Sequence, residues 1–133
     1  MNDVTYIKSF RGNGIMLDQK LTNAEISATV FISDFICYKD CVLRKNGDTR
    51  GHALDIRELA ELRGAKYDAF RKTMYSLKSK GVIGFHTTEG TNWITVNPFI
   101  FCRGNSVSAW VIDFYKDTEW ANIVRQKVRE SNS

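Results

Sequence analysis

The sequence predicts an α+β, mainly helical domain, and three observations carry that prediction. Thr22 with Glu25, and Asp55 with Glu58, each open a run with helical apolar spacing. A third helical run follows the second after only Ala65 and Lys66 beyond its Gly64 stop. Two β-rich runs around Glu89-Gly90-Thr91 then read as a hairpin.

The 133 residues fit one domain, since domains most often run to about 100–150 residues. Hydrophobic residues are 43% and charged residues 26%, an ordinary globular composition that excludes a disordered tail, a collagen-like fibre and a disulfide scaffold. No apolar run approaches the roughly 18 residues that span a bilayer. The start, MNDVTYIKSF, lacks the basic-then-apolar layout of a signal peptide. A cytoplasmic protein with no membrane partner is expected.

Residues 4–10, VTYIKSF, read as a strand, and Arg11-Gly12-Asn13-Gly14 as a turn. That turn is a fragment of a phosphate-loop pattern, but no GK[ST] or GxGxxG follows it. The first helix is expected over 23–37, with Ala24, Ala28, Phe31, Ile32, Phe35 and Ile36 on a broad apolar face. Residues 44–51 form a polar loop or hairpin tip. The second helix buries Ile56, Leu59, Ala60 and Leu62. The third, 67–80, buries Phe70, Met74 and Leu77 and ends at Gly81. Pro98 blocks further regular pairing. Val107, Trp110, Val111 and Phe114 form one stripe of a C-terminal helical segment, and Trp120, Ile123, Val124 and Val128 another, with Asp117-Thr118 between them. The expected organisation is one domain over 1–133: an N-terminal strand or arm at 1–20, a core at 21–97, and a C-terminal helical extension at 98–133.

Three cysteines, Cys37, Cys41 and Cys102, suit a reducing compartment and structural thiols. Zinc would need a second tight ligand pair, and His52 and His86 do not supply one. No metal and no cofactor are expected.

Net charge is +4, and its distribution is uneven. Residues 63–80 hold Arg63, Lys66, Arg71, Lys72, Lys78 and Lys80 against Asp68 alone. The rest of the chain carries thirteen basic and fourteen acidic residues. A basic stripe on one element is the footprint of a polyanion site. The alternative is a solvated helix face.

Two helices joined by a tight turn and followed by a hairpin is the element order of a winged helix-turn-helix. A major groove about 12 Å wide admits one such exposed helix. At about 100° per residue, Phe70, Met74 and Leu77 cluster within about 60°, and Asp68, Lys72, Tyr75 and Ser79 lie opposite with Arg71 on the flank. The face that cannot be buried is basic, aromatic and hydrogen-bonding. Lys66, Arg71 and Lys72 stand where a docked recognition helix meets bases, with Tyr67 a further DNA-binding candidate, and an arginine can hold a guanine edge bidentately. Tyr75 suits a phosphate or a thymine methyl, and Lys78 and Lys80 suit backbone phosphates or simple solvation. Asp68 orients Arg71 or Lys72, or accepts from cytosine. Arg44, Lys45 and Arg50 form a second phosphate anchor. The wing tip carries Glu89 and no cation, so His86, Thr87, Thr88 and Asn92 offer only hydroxyl or amide contacts. A hydrogen-bonded strand role is expected for His86, and core positions for Trp93 and Trp110. The surplus apolar surface of the C-terminal helices suits either a homodimer or packing against the first helix.

The run IRELAELRGAKYDAFRKTMYSLKSKGVIGF, followed by WITVNP, resembles the winged helix-turn-helix of bacterial regulators. The continuation VNPFIFCRG, with a helix ending near DTEWA, is similar to RepL-type plasmid replication proteins and related small phage and plasmid proteins of low-GC Gram-positive bacteria. The likeness covers roughly residues 20–122. It implies double-stranded DNA binding in replication initiation or in transcription regulation.

The expectation is therefore a dimeric, non-enzymatic protein that binds double-stranded DNA, with no small-molecule substrate and no catalytic residues. A protein–protein adaptor on the same frame is the first alternative. An enzyme assembled from dispersed residues such as Cys41, His52 and Asp55 is the second.

Overall fold

A computed structural model describes residues 7–9, 20–37, 40–103 and 107–122. The turn at 11–14, the turn at 104–105 and the end of the C-terminal segment from Ile123 onward lie outside the described residues. The architecture is α+β. In chain order it comprises β1 (Ile7–Ser9), α1 (Asn23–Ser33), a 3-10 turn (Lys45–Gly47), α2 (Ile56–Arg63), α3 (Tyr67–Ser79), β2 (Ile83–Thr88), β3 (Thr91–Val96), β4 (Phe101–Arg103) and α4 (Ala109–Tyr115). No helix among the described residues is long and apolar enough to cross a membrane.

Local chemistry explains the helix starts. The Thr22 hydroxyl accepts from the Glu25 N–H at 3.2 Å, and Glu25 Oε1 accepts from the Thr22 N–H at 2.7 Å. Asp55 and Glu58 make the same reciprocal pair at the head of α2, at 2.8 and 3.3 Å. Each box satisfies N–H groups that a helix start leaves without partners. Gly64 ends α2 in the left-handed region (φ 72, ψ 26), where a side chain would be strained although nothing crowds it.

α1 stops at Ser33, short of the 37 that apolar spacing suggests. Its continuation is extended instead. Ile36 pairs with Leu43, the Cys37 N–H donates to the Val42 carbonyl at 2.9 Å, and the Arg44 N–H donates to the Phe35 carbonyl at 2.9 Å. Ile36 and Cys37 are still fully buried, so the apolar period continues in the core without a helix to carry it.

α3 buries Phe70, Met74 and Leu77 as its spacing requires. In α2 only Leu59 and Ala60 are buried, and Leu62 is 58% exposed. Leu62 lies roughly 110° around the helix from the centre of the inward face, too far for a helix of 8 residues to bury.

β2 and β3 form the antiparallel hairpin, in register from Ile83↔Val96 to Thr88↔Thr91. Glu89 and Gly90 both take positive φ, 51° and 81°, as a two-residue hairpin turn demands. α3 lies against one face, where Tyr75 meets Phe85 edge-on at 4.9 Å. α4 covers the other. A Cβ on Gly84 would stand 2.7 Å from the Phe114 ring and 2.8 Å from the Tyr115 hydroxyl, so this close approach depends on glycine.

Pro98 does not end pairing. It sits in a turn held by Asn97, whose Oδ1 accepts from the Phe99 N–H at 2.9 Å, and β4 then pairs antiparallel with β1. The proline thus falls between ladders, where its missing N–H costs nothing.

The C-terminal segment is built into the core. Trp120 is 1% exposed and donates its indole N–H to the Lys80 carbonyl at 2.8 Å. The buried Asn97 amide donates to the Gly81 carbonyl at 2.8 Å and to the Thr118 hydroxyl at 3.1 Å. Val111 and Tyr115 face inward, while Trp110 and Phe114 are 44% and 52% exposed. Trp110 is therefore not a core residue, and Trp93 is only half-buried. They form a surface cluster in which Trp93 stacks on His86 at 4.3 Å and Trp110 meets both rings edge-on.

Candidate functional site

Three elements converge on one open groove. Its walls are the first turn of α2, one flank of α3, and the hairpin. Arg57, Tyr67, Arg71, Tyr75, Phe85 and Asn92 line it, around a cavity of about 310 Å³. The groove exists because α3 must turn Phe70, Met74 and Leu77 into the core. Tyr67, Arg71 and Tyr75, at i, i+4 and i+8, then fall on the flank that faces the hairpin.

Rings hold the cations of this flank. The Arg71 guanidinium lies 4.6 Å from the centre of the Tyr75 ring, and the Arg57 guanidinium 4.2 Å from that of Tyr67. Lys78 extends toward Phe85, 5.7 Å from its centre. Lys66 is exposed at the cap position of α3, and Asp68 and Lys72 are exposed on its outer side. Five ion pairs occur among the described residues: Lys20–Glu119, Arg44–Asp40, His52–Glu58, Lys80–Glu25 and Lys116–Asp113. None involves Lys66, Arg71, Lys72 or Lys78, so their charge is not neutralised by a described carboxylate.

No protein-family model, curated protein or solved structure matches this chain.

The sequence-derived candidates divide into two groups. Tyr67, Arg71 and Tyr75 share the groove, and Lys66, Asp68, Lys72 and Lys78 stand on the same helix. The second anchor does not join them. Arg44 donates to Asp40 Oδ2 at 3.0 Å and to the Gly51 carbonyl at 3.2 Å, so it clamps its own loop. Lys45 and Arg50 are exposed around the 3-10 turn. Lys45 borders a separate depression with Phe35, His52 and Leu62, and neither residue lines the groove.

Lys80 also departs from expectation. Its ammonium donates to Glu25 Oε1 at 2.6 Å and to the Lys20 carbonyl at 3.2 Å. It ties the end of α3 to α1. Burial opposes the charge on Glu25, but hydrogen bonds from Lys80, Ser76 and the Thr22 N–H outweigh it and hold the carboxyl at about 2.

His86 keeps the expected strand role, with Nε2 at 2.9 Å from the Thr95 hydroxyl. Burial lowers its pKa. Thr95 in turn meets the Tyr115 hydroxyl at 2.8 Å. Burial pushes the Tyr115 phenol up, so it remains a donor to the Thr95 carbonyl at 3.1 Å. Cys37 and Cys41 are buried, and no three His, Cys, Asp or Glu among the described residues converge as a metal site. Of the dispersed trio, Cys41 is fully buried, His52 pairs with Glu58 at 2.7 Å, and Asp55 caps α2.

Sequence reasoning missed Arg57. Ten residues separate it from Tyr67, and no helical or strand period links them; only the α2–α3 turn brings them together.

Proposed function

We propose that this protein binds double-stranded DNA as a winged helix-turn-helix, with α3 as the helix that enters the major groove and the β2–β3 hairpin as the wing. One observation carries the reading. α3 turns Phe70, Met74 and Leu77 inward and leaves Lys66, Arg71, Lys72 and Lys78 exposed without a described carboxylate partner. A 13-residue helix is about 20 Å long, enough to present several side chains to base edges and phosphates at once. In this reading Arg71 and Lys72 contact bases, Lys66 and Lys78 contact phosphates, and Asp68 orients its cationic neighbours. The biological setting that fits is replication initiation or transcription regulation.

A homodimer belongs to the same proposal. Two copies would double the contacts on a palindromic site, and α4 leaves Trp110, Ile112 and Phe114 at the surface.

The test is selection of bound fragments from a random duplex library, followed by titration over a salt series. Binding should weaken along a log–log slope of about −0.9 per neutralised phosphate. Recovery of half-sites about 10 base pairs apart is the dimer's signature. No enrichment and no binding at low salt would sink the DNA reading. A protein–protein adaptor would then fit better, with exposed Trp110 and Phe114 as its contact residues.

A further inference from the structure

The groove beside α3 has a feature that the outer side of the helix lacks. Each of its two arginines lies against a ring of α3. Arg57 lies over Tyr67 at 4.2 Å and Arg71 over Tyr75 at 4.6 Å. Tyr67, Arg71 and Tyr75 step along α3 by about 6 Å each. Guanidinium, ring, guanidinium and ring therefore alternate along one wall, with Arg57 of α2 at its head. On the hairpin side, the Thr87 hydroxyl donates to Asn92 Oδ1 at 2.8 Å. That bond occupies the oxygen of the amide and leaves its N–H2 as a donor. Asp55, an anion, also borders the groove, and one of its carboxylate oxygens accepts the Glu58 N–H at 2.8 Å.

We propose that this groove seats the sugar–phosphate backbone of one DNA strand, with Arg57 as a phosphate contact and Tyr67 as the residue that positions it; the assignment rests on the DNA reading above. A ring beneath a guanidinium fixes its plane and leaves its N–H fork for an anion, so less side-chain freedom is lost when a phosphate binds. Phosphate oxygens suit that fork bidentately. A polyanion also suits a wall whose cations have no described carboxylate partners. The hairpin amide supplies a neutral donor from the opposite side, as backbone-positioning contacts commonly do.

Arg57→Ala, Arg57→Gln, Tyr67→Phe and Tyr67→Leu are compared with the unaltered chain on two duplexes of unrelated sequence, each titrated over a salt series. Both Arg57 variants should reduce the salt slope by about 0.9 on both duplexes, which is roughly eightfold weaker binding near 0.1 M salt. Tyr67→Phe keeps the ring and should match the unaltered chain, whereas Tyr67→Leu should shift toward the Arg57 variants. An unchanged slope in both Arg57 variants, with binding still weakened by Lys72→Ala outside the groove, would overturn the groove assignment and leave the DNA reading standing. Tyr67→Phe as weak as Tyr67→Leu would overturn the positioning role. Absence of salt-dependent duplex binding by the unaltered chain would overturn both.

Discussion

Glu25 near the start of α1 and Lys80 at the end of α3 meet in a 2.6 Å ion pair, 55 residues apart in sequence. Glu25 is 3% exposed, and it also accepts from Ser76 and from the Thr22 N–H. One carboxylate thus caps its own helix and fixes the far end of the helix that bears the exposed cations.

Replacing Glu25 by Ala should destabilise the chain by about 2–3 kcal/mol, because buried donors lose their acceptor and the box loses one arm. The pH dependence has a definite sign. The folded carboxyl sits at about 2, below its ordinary value of 4.5. Its stabilisation is therefore complete above 4.5 and is lost as pH falls toward 2. Urea unfolding of the unaltered chain and the variant should differ at neutral pH and converge in acid.

Replacing Arg71 and Lys72 together by Ala should abolish sequence-specific duplex binding. Both side chains are exposed. The unfolding free energy should accordingly stay within about 0.5 kcal/mol. A double variant that binds its best site undiminished would remove α3 from the interface.

Gly84→Ala should cost about 1–3 kcal/mol by overpacking. Phe114 is half-exposed and can swing aside. Tyr115 cannot, because its hydroxyl is buried and bonded to Thr95 at 2.8 and 3.1 Å. Chemical denaturation reads the loss. Pairing with Tyr115→Phe, which removes the obstructing oxygen, should recover part of it.

His86 should make the fold weaker on mild acidification. Burial lowers its folded pKa from 6.5, so the unfolded chain takes up a proton that the folded chain refuses. Stability is then full above 6.5 and falls as pH drops below it. His86→Phe preserves a ring against Trp93 and removes the titration. Its urea midpoint should change less between about pH 7 and pH 5 than that of the unaltered chain.

Features set by neighbours in sequence were legible. The two capping boxes, the Gly64 stop, the stripe of Phe70, Met74 and Leu77, and the hairpin turn each depend on residues within one or two turns. Apolar periodicity failed where a second partner decided the outcome. Ile36 and Cys37 fit the α1 stripe, yet Val42 and Leu43 draw them into extended pairing. In α4 the apolar residues leave the inward side ambiguous, and the fit of Tyr115 against Thr95 selects Val111 and Tyr115 over Trp110 and Phe114. The site divides in the same way. Helical arithmetic located the exposed cations of α3, but the retention of Lys80 by Glu25, 55 residues away, depends on a contact that no local spacing encodes, and Arg44 meets Asp40 four residues back in a segment that is not helical.

Asn97 and Trp120 grip the backbone at Lys80 and Gly81, immediately past the helix that carries the cations. The region up to Val96 is consequently no portable cassette. A fragment cropped after β3 would forfeit both fasteners, and the last turn of that helix would begin to unwind. Transplanting this helix–hairpin unit onto another scaffold will require bringing Asn97 and Trp120 along as its clasp.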